Sequence, residues 1–174
     1  QKLKSAADQT GGTLSFACQH AIPTTVSPWI VRALTARDEV SIRVRSCNQE
    51  ECLMLLLSGE VDFVLMYALP DEATAFFEQA FQTLTLGHDV LIPVCAPALE
   101  KAGGTTRIPI ISYPTDVFLG RVFVSSIAPR LKDEVTLVSK AETALTLAAH
   151  EYAIGGIGVA WLPRSMVVTA LDQG

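Results

Sequence analysis

Residues Leu53–Met66, LMLLLSGEVDFVLM, change their periodicity at a single glycine. Leu53, Leu56 and Leu57 fall at helical spacing, and Gly59 suits the left-handed position just past a helix end. Val61–Met66 is then a short apolar run with β-branched residues, the pattern of a strand covered on both faces. A helix that ends on glycine and passes at once into a buried strand belongs to a sheet with helices packed on it. A similar unit precedes this one. Thr13–Cys18 (TLSFAC) reads as the first strand, a helix opens near Pro23, and Val40–Arg45 (VSIRVR) alternates strictly as the second strand. The first helix carries Val26, Trp29, Ile30, Ala33 and Leu34 at steps of three and four, with Pro28 in its first turns. Gln49–Ser58 is the second helix and Val61–Tyr67 the third strand. The order βαβαβ implies parallel strands with right-handed crossovers.

The remainder alternates in the same way. Phe76–Ala80 fits neither period, and Phe81–Leu86 and Val90–Cys95 read as two strands around Gly87. Ala98–Arg107 (ALEKAGGTTR) is polar and Gly-rich, a loop or domain junction. Then come a strand at Ile108–Ser112, a helix at Val117–Ala128, a strand at Val135–Val138 and an Ala-rich helix at Ala141–His150. Gly155, Gly156 and Gly158 precede a strand at Ile157–Leu162, and Pro163 starts a final helix.

The chain has 174 residues, of which 49% are apolar, enough for one domain or two small lobes with a real core. No apolar run reaches the ~18–20 residues of a membrane span. Gln1–Gly12 is polar, without the apolar stretch of a secretory signal, and with no initiator Met the sequence reads as a fragment. The net charge of −5, with no cluster of Lys and Arg, speaks against nucleic-acid binding by these residues alone. Four cysteines without a C-x-x-C pair and three scattered histidines do not make a metal site. Reduced, buried thiols in a cytoplasmic protein are expected, and no cofactor is implied.

Four segments, in this order, resemble the effector-binding domain of LysR-type transcriptional regulators. They are TLSFACQHAIPTTVSPWIVRAL, LMLLLSGEVDFVLM with an L-x-x-G-x-x-D pattern, LTLGHDVLIPVCAP, and ALTLAAHEYAIGGIGVAWLPRSMV with its G-x-G-[IV]-A-x-L-P return. The pieces QHAIP and IISYPTDVFLGR are closest to the hypochlorite-responsive members. The resemblance implies an α/β protein of two Rossmann-like subdomains joined by two crossings, like type 2 periplasmic binding proteins. Residues 1–11 would end a linker helix, 12–92 plus 162–174 form subdomain I, and 93–161 form subdomain II. It implies a small-molecule effector held between the lobes and homo-oligomers, with dimers built on the helices at Trp29–Ala36 and Val117–Ala128. It also implies a tetramer in the full-length regulator, and DNA contact only through an N-terminal winged helix-turn-helix that this sequence does not contain. The family's usual final strand and helix after the return crossing are also missing from this sequence, either because it is truncated or because another chain supplies them.

In open α/β sheets ligands bind beyond the carboxyl ends of the strands. Here those ends are Gln19–Ala21, Cys47–Gln49, Tyr67–Leu69, Ser112–Thr115 and Ser139–Ala141. Helix starts next to them offer unpaired N–H groups and positive partial charge, which suits a polar or anionic molecule. The candidate ligand residues are Gln19, His20, Ala21, Asn48, Gln49, Tyr67, Ser112, Tyr113, Thr115 and Lys140. Each has a plainer reading: Asn48 and Gln49 as helix caps, His20 as a cap or loop residue, Lys140 as a solvated cation.

Cys47 flanks a helix start and Cys52 lies inside that helix, so the two could form a redox pair. Inert thiols are the expectation, with Met54 and Met66 in the core. No catalytic set appears: no G-x-S-x-G, no H-E-x-x-H, no P-loop, and the glycines at Gly155–Gly158 precede a strand. The rivals to a regulator domain are a periplasmic-type solute-binding protein, an enzyme of the same fold, and an oxidant sensor acting through Cys or Met.

Overall fold

The computed structural model describes residues 12–36, 40–69, 81–101, 106–131 and 133–173. The expected linker helix at Gln1–Thr10 and the segment Phe76–Ala80 lie outside the described residues. The chain divides into two compact units, Gln1–Asp89 and Val90–Gly174.

The first unit is a parallel sheet of order β2-β1-β3, from β1 (Thr13–Gln19), β2 (Ser41–Cys47) and β3 (Phe63–Leu65). The central strand is the most buried because helices cover both its faces. Phe16 and Cys18 point to one side, with Ile22, Val31, Phe63 and Leu65. Ala17 points to the other, with Cys47, Cys52, Leu55 and Val61. The expected first helix is two, α1 (Ile22–Thr25) and α2 (Ser27–Thr35). Pro28 has no N–H to give the carbonyl four residues back, so the helix restarts there.

Helix α3 (Gln49–Leu57) stops where expected, and Gly59 takes φ 74°. Its buried face differs from the expected one. Gln49, Cys52 and Leu55 face inward, whereas Leu57 is 67% exposed and Met54 lies at the surface. An all-leucine turn is apolar on every side, so periodicity alone could not select the face. The acidic turn has a structural role. Asp62 accepts from the Ser15 N–H (2.7 Å) and hydroxyl (3.0 Å), while its own N–H donates to the Ser15 carbonyl (2.8 Å). The carboxylate thus prolongs the β1–β3 ladder.

The second unit is a mixed sheet of order β4-β7-β5-β6, from β4 (Leu91–Val94), β5 (Arg107–Ser112), β6 (Thr136–Glu142) and β7 (Val159–Pro163). β4 runs antiparallel to β7; the other pairs are parallel. Ile111, Tyr113, Ala149, Ala153, Ala160, Leu162 and Val167 form its core. Gly158 is needed where β7 meets β5: a Cβ there would lie 3.0 Å from the Pro109 carbonyl oxygen.

Several expectations are corrected here. Phe81–Leu86 is not a strand; it pairs with no strand among the described residues, and Leu84 is 80% exposed. Helix α4 (Pro97–Lys101) occupies part of the expected loop Ala98–Arg107. The helix expected at Ala141–His150 is α7, Thr146–Ile154, because pairing with β5 carries β6 through Glu142 against local helix preference. The helix expected at Val117–Ala128 is three continuous pieces: α5 (Phe118–Val122), a π-helical turn (Phe123–Ile127) and α6 (Ala128–Leu131). Helix α8 (Arg164–Gln173) follows β7 and packs within the second unit through the buried Val167.

Candidate functional site

At the carboxyl end of the first sheet two glutamines hold one stretch of backbone. Gln19, 5% exposed at the end of β1, accepts the Tyr67 N–H at 2.8 Å through Oε1. Gln49, the first residue of α3, donates Nε2 to the Tyr67 carbonyl at 3.4 Å. The amides continue the sheet beyond β3 with side chains in place of a strand. The Tyr67 hydroxyl donates to Asp89 at 3.2 Å. Asn48 caps α3, its Oδ1 accepting the Glu51 N–H at 2.8 Å.

His20 follows β1, half-buried, with Nδ1 3.0 Å from the Ser46 hydroxyl. Partial burial lowers its pKa below the ordinary histidine value, and Glu51 opposes that. The imidazole therefore stays neutral to lower pH than a solvated one, free to give one proton and take another. Ala21 is the only non-glycine residue with positive φ among the described residues (82°, ψ −43°), close to the strained γ-turn. Its carbonyl accepts from the Thr24 N–H (3.1 Å), the Thr24 hydroxyl (2.9 Å) and the Thr25 hydroxyl (3.1 Å). Strain held in place by such bonds is concentrated at functional turns.

On the face of the sheet opposite Ile22, Cys47 and Cys52 are buried with their sulfurs 3.2 Å apart. Burial raises both thiol pKa values.

In the second unit a bulge shapes the corresponding strand ends. Ile110 pairs with Ser139 and Ile111 with Ala141, so Lys140 is an extra residue, exposed on β6. The Ser112 and Ser139 hydroxyls are 2.8 Å apart, each also 3.3 Å from the Ala141 carbonyl. Tyr113 turns inward: it is buried, donates to the Trp161 carbonyl at 3.1 Å, and burial raises its pKa. Thr115 is exposed in the turn that follows. The structure thus brings together Gln19, Gln49 and Tyr67 in one unit, and Ser112 with Ser139, the residue before Lys140, in the other.

Ser46 was not among the sequence candidates, and Ser139 entered only as the start of the strand end Ser139–Ala141. Ser46 pairs with Cys18, next to Gln19, and Ser139 with Ile110. Register, not composition, would have found Ser46. Among the described residues there is no group of three or more His, Cys, Asp or Glu able to hold a metal ion. Also among them, no helix is long and apolar enough to cross a membrane.

A two-sheet α/β chain with polar side chains at its strand ends and the L-x-x-G-x-x-D and G-x-G turns is a ligand-sensing domain of the type 2 periplasmic-binding-protein-like class. The LysR substrate binding domain matches residues 7–174, and the chain belongs to that family. Its fold is close to the bromide-bound regulatory domain of HypT from Salmonella typhimurium (TM-score 0.77, 20% identity, 97% of this chain and 78% of that one). It is also close to DarR from Vibrio fischeri in complex with DNA (TM-score 0.72, 17% identity, 99% and 58%). The effector binding domain of QuiR in complex with shikimate gives TM-score 0.69 at 12% identity, with 92% and 78% covered. At these identities the likeness is one of fold. No curated protein matches the sequence.

Proposed function

We propose that this LysR substrate binding domain senses a small polar or anionic molecule, and through it sets the DNA binding of a longer regulator. The carrying observation is the Ser112–Ser139 hydroxyl pair beside the bulged Lys140. Two hydroxyl donors and an ammonium group are the chemistry that takes an oxyanion. On this reading the chain is not an enzyme, works in the cytoplasm, and reaches DNA only through a winged helix-turn-helix of the full regulator. The subdomains of the family, 12–92 with 162–174 and 93–161, go with the same reading. A ligand controls such a protein only through different affinities for two arrangements.

Native mass spectrometry of freshly purified protein should identify the bound molecule, and calorimetry with that molecule tests the contacts. Ser112→Ala and Ser139→Ala should each weaken binding by about one to two decades. A hydrogen bond to a charged group contributes roughly 1.5–3 kcal/mol, and ~1.4 kcal/mol is a factor of ten. Wild-type affinity in both variants would remove these strand ends from the site.

Self-association belongs to the same proposal. Trp29 on α2 is 54% exposed and Val124 of the π turn 53%, apolar area that a second copy would cover. Sedimentation at rising concentration should show a dimer, and Trp29→Ala should shift it toward monomer. A strict monomer at the highest concentration would count against the pairing.

A further inference from the structure

We propose that Cys47 and Cys52 are a thiol–disulfide site that staples the turn between β2 and α3. Cys47 is the last residue of β2 and Cys52 lies one turn into α3, on either side of the cap Asn48. Their sulfurs are 3.2 Å apart, against a bond length of about 2.05 Å. Both pack in one cluster with Ala17, Leu55 and Val61, so neighbours on the sheet and the helix already hold the two side chains face to face. Cys18 is no substitute partner. It belongs to the cluster of Phe16 and Ile22, on the opposite face of the sheet.

The roles of the two sulfurs differ. Burial and the charge of Glu51 raise Cys47, while the contact with Cys52 and the charge of Arg45 lower it. Cys52 is raised by burial and by the same contact. Cys47, 3% exposed at the end of β2 while Cys52 is fully buried, is the attacking sulfur. Its thiolate attacks one oxygen of a small hydroperoxide; the O–O bond breaks, an alcohol leaves with the thiol proton, and Cys47 becomes a sulfenic acid. The Cys52 sulfur then displaces that oxygen, which departs as water with the Cys52 proton. Two thiols lose two electrons and two protons in all, and the hydroperoxide is reduced to alcohol and water. The new bond fixes Asn48 and Gln49, the residues that cap α3 and hold Tyr67.

The test treats the folded, unaltered chain with tert-butyl hydroperoxide, followed by alkylation in denaturant, intact mass and peptide mapping. The expected product has lost two hydrogens, links Cys47 to Cys52, leaves Cys18 alkylated, and reverts with dithiothreitol. This readout is independent of any effector, so it stands or falls apart from the ligand proposal. Full alkylation of both thiols, under conditions where the unfolded chain cross-links, would overturn the site. So would a link to Cys18, or sulfinic acid at Cys47 without a cross-link.

Discussion

Gly120→Ala is expected to destabilise the second unit by at least about 3 kcal/mol, at or beyond the upper end of the ordinary overpacking cost. A Cβ at that position would lie 1.9 Å from the Pro114 carbonyl oxygen and 2.7 Å from its carbon. Both are backbone atoms, so no rotamer change relieves the overlap. α5 would have to lift off the Tyr113–Pro114 turn, which is anchored by the bond from Tyr113 to the Trp161 carbonyl. The chain has two tryptophans, Trp29 in the first unit and Trp161 in the second. In a Trp29→Phe background, urea unfolding followed by fluorescence therefore reports on the second unit. Gly87→Ala is the control, since a Cβ there meets nothing within 4 Å. Equal midpoints for the two variants would show that the turn can move.

Phe16→Ala should cost the first unit about 3–5 kcal/mol, the usual range for a buried phenylalanine cut to a methyl group. Phe16 is fully buried in the central strand and stacks on Phe63 with ring centroids 4.8 Å apart. The cavity would open between the sheet and the α1–α2 layer, among Ile22, Val31, Phe63 and Leu65. Trp29 fluorescence in a Trp161→Phe background gives the measurement. A loss below about 1 kcal/mol would mean that the neighbours collapse into the space.

Much of this fold was legible because strong local signals agreed with the tertiary structure. Gly59 ends α3 and the alternation in SIRVR marks β2, each set by residues within a few positions. What failed depended on neighbours distant in sequence. Phe81–Leu86 has the pattern of a strand without a strand beside it among the described residues. The Ala-rich segment after Lys140 starts its helix late because β5 claims its first residues for the sheet. Within α3, Cys52 and Leu55 face the core while Leu57 is exposed, and an apolar run on every side conceals that choice.

The candidate site was legible as positions rather than as roles. Strand ends could be read from periodicity, and with them His20, Gln49 and Ser112. Whether a side chain at such an end points outward or inward is decided by packing. Gln19 and Gln49 turned to the Tyr67 backbone, and Tyr113 to Trp161. The bulge that sets Lys140 apart is a register shift between β5 and β6, which no single segment records.

The strand order β4-β7-β5-β6 bears on how the chain is made. Strand β7, the last in sequence, sits between β4 and β5, so a nascent chain that has emerged only as far as α7 holds the flanks of the second sheet without its middle. The three described strands of the first sheet are all present once Leu65 has emerged. The two units thus differ in when they can close. One can form while synthesis continues, and the other keeps facing strand edges open until the G-x-G turn delivers β7. During that interval those edges are where a chaperone would bind or a wrong strand would pair.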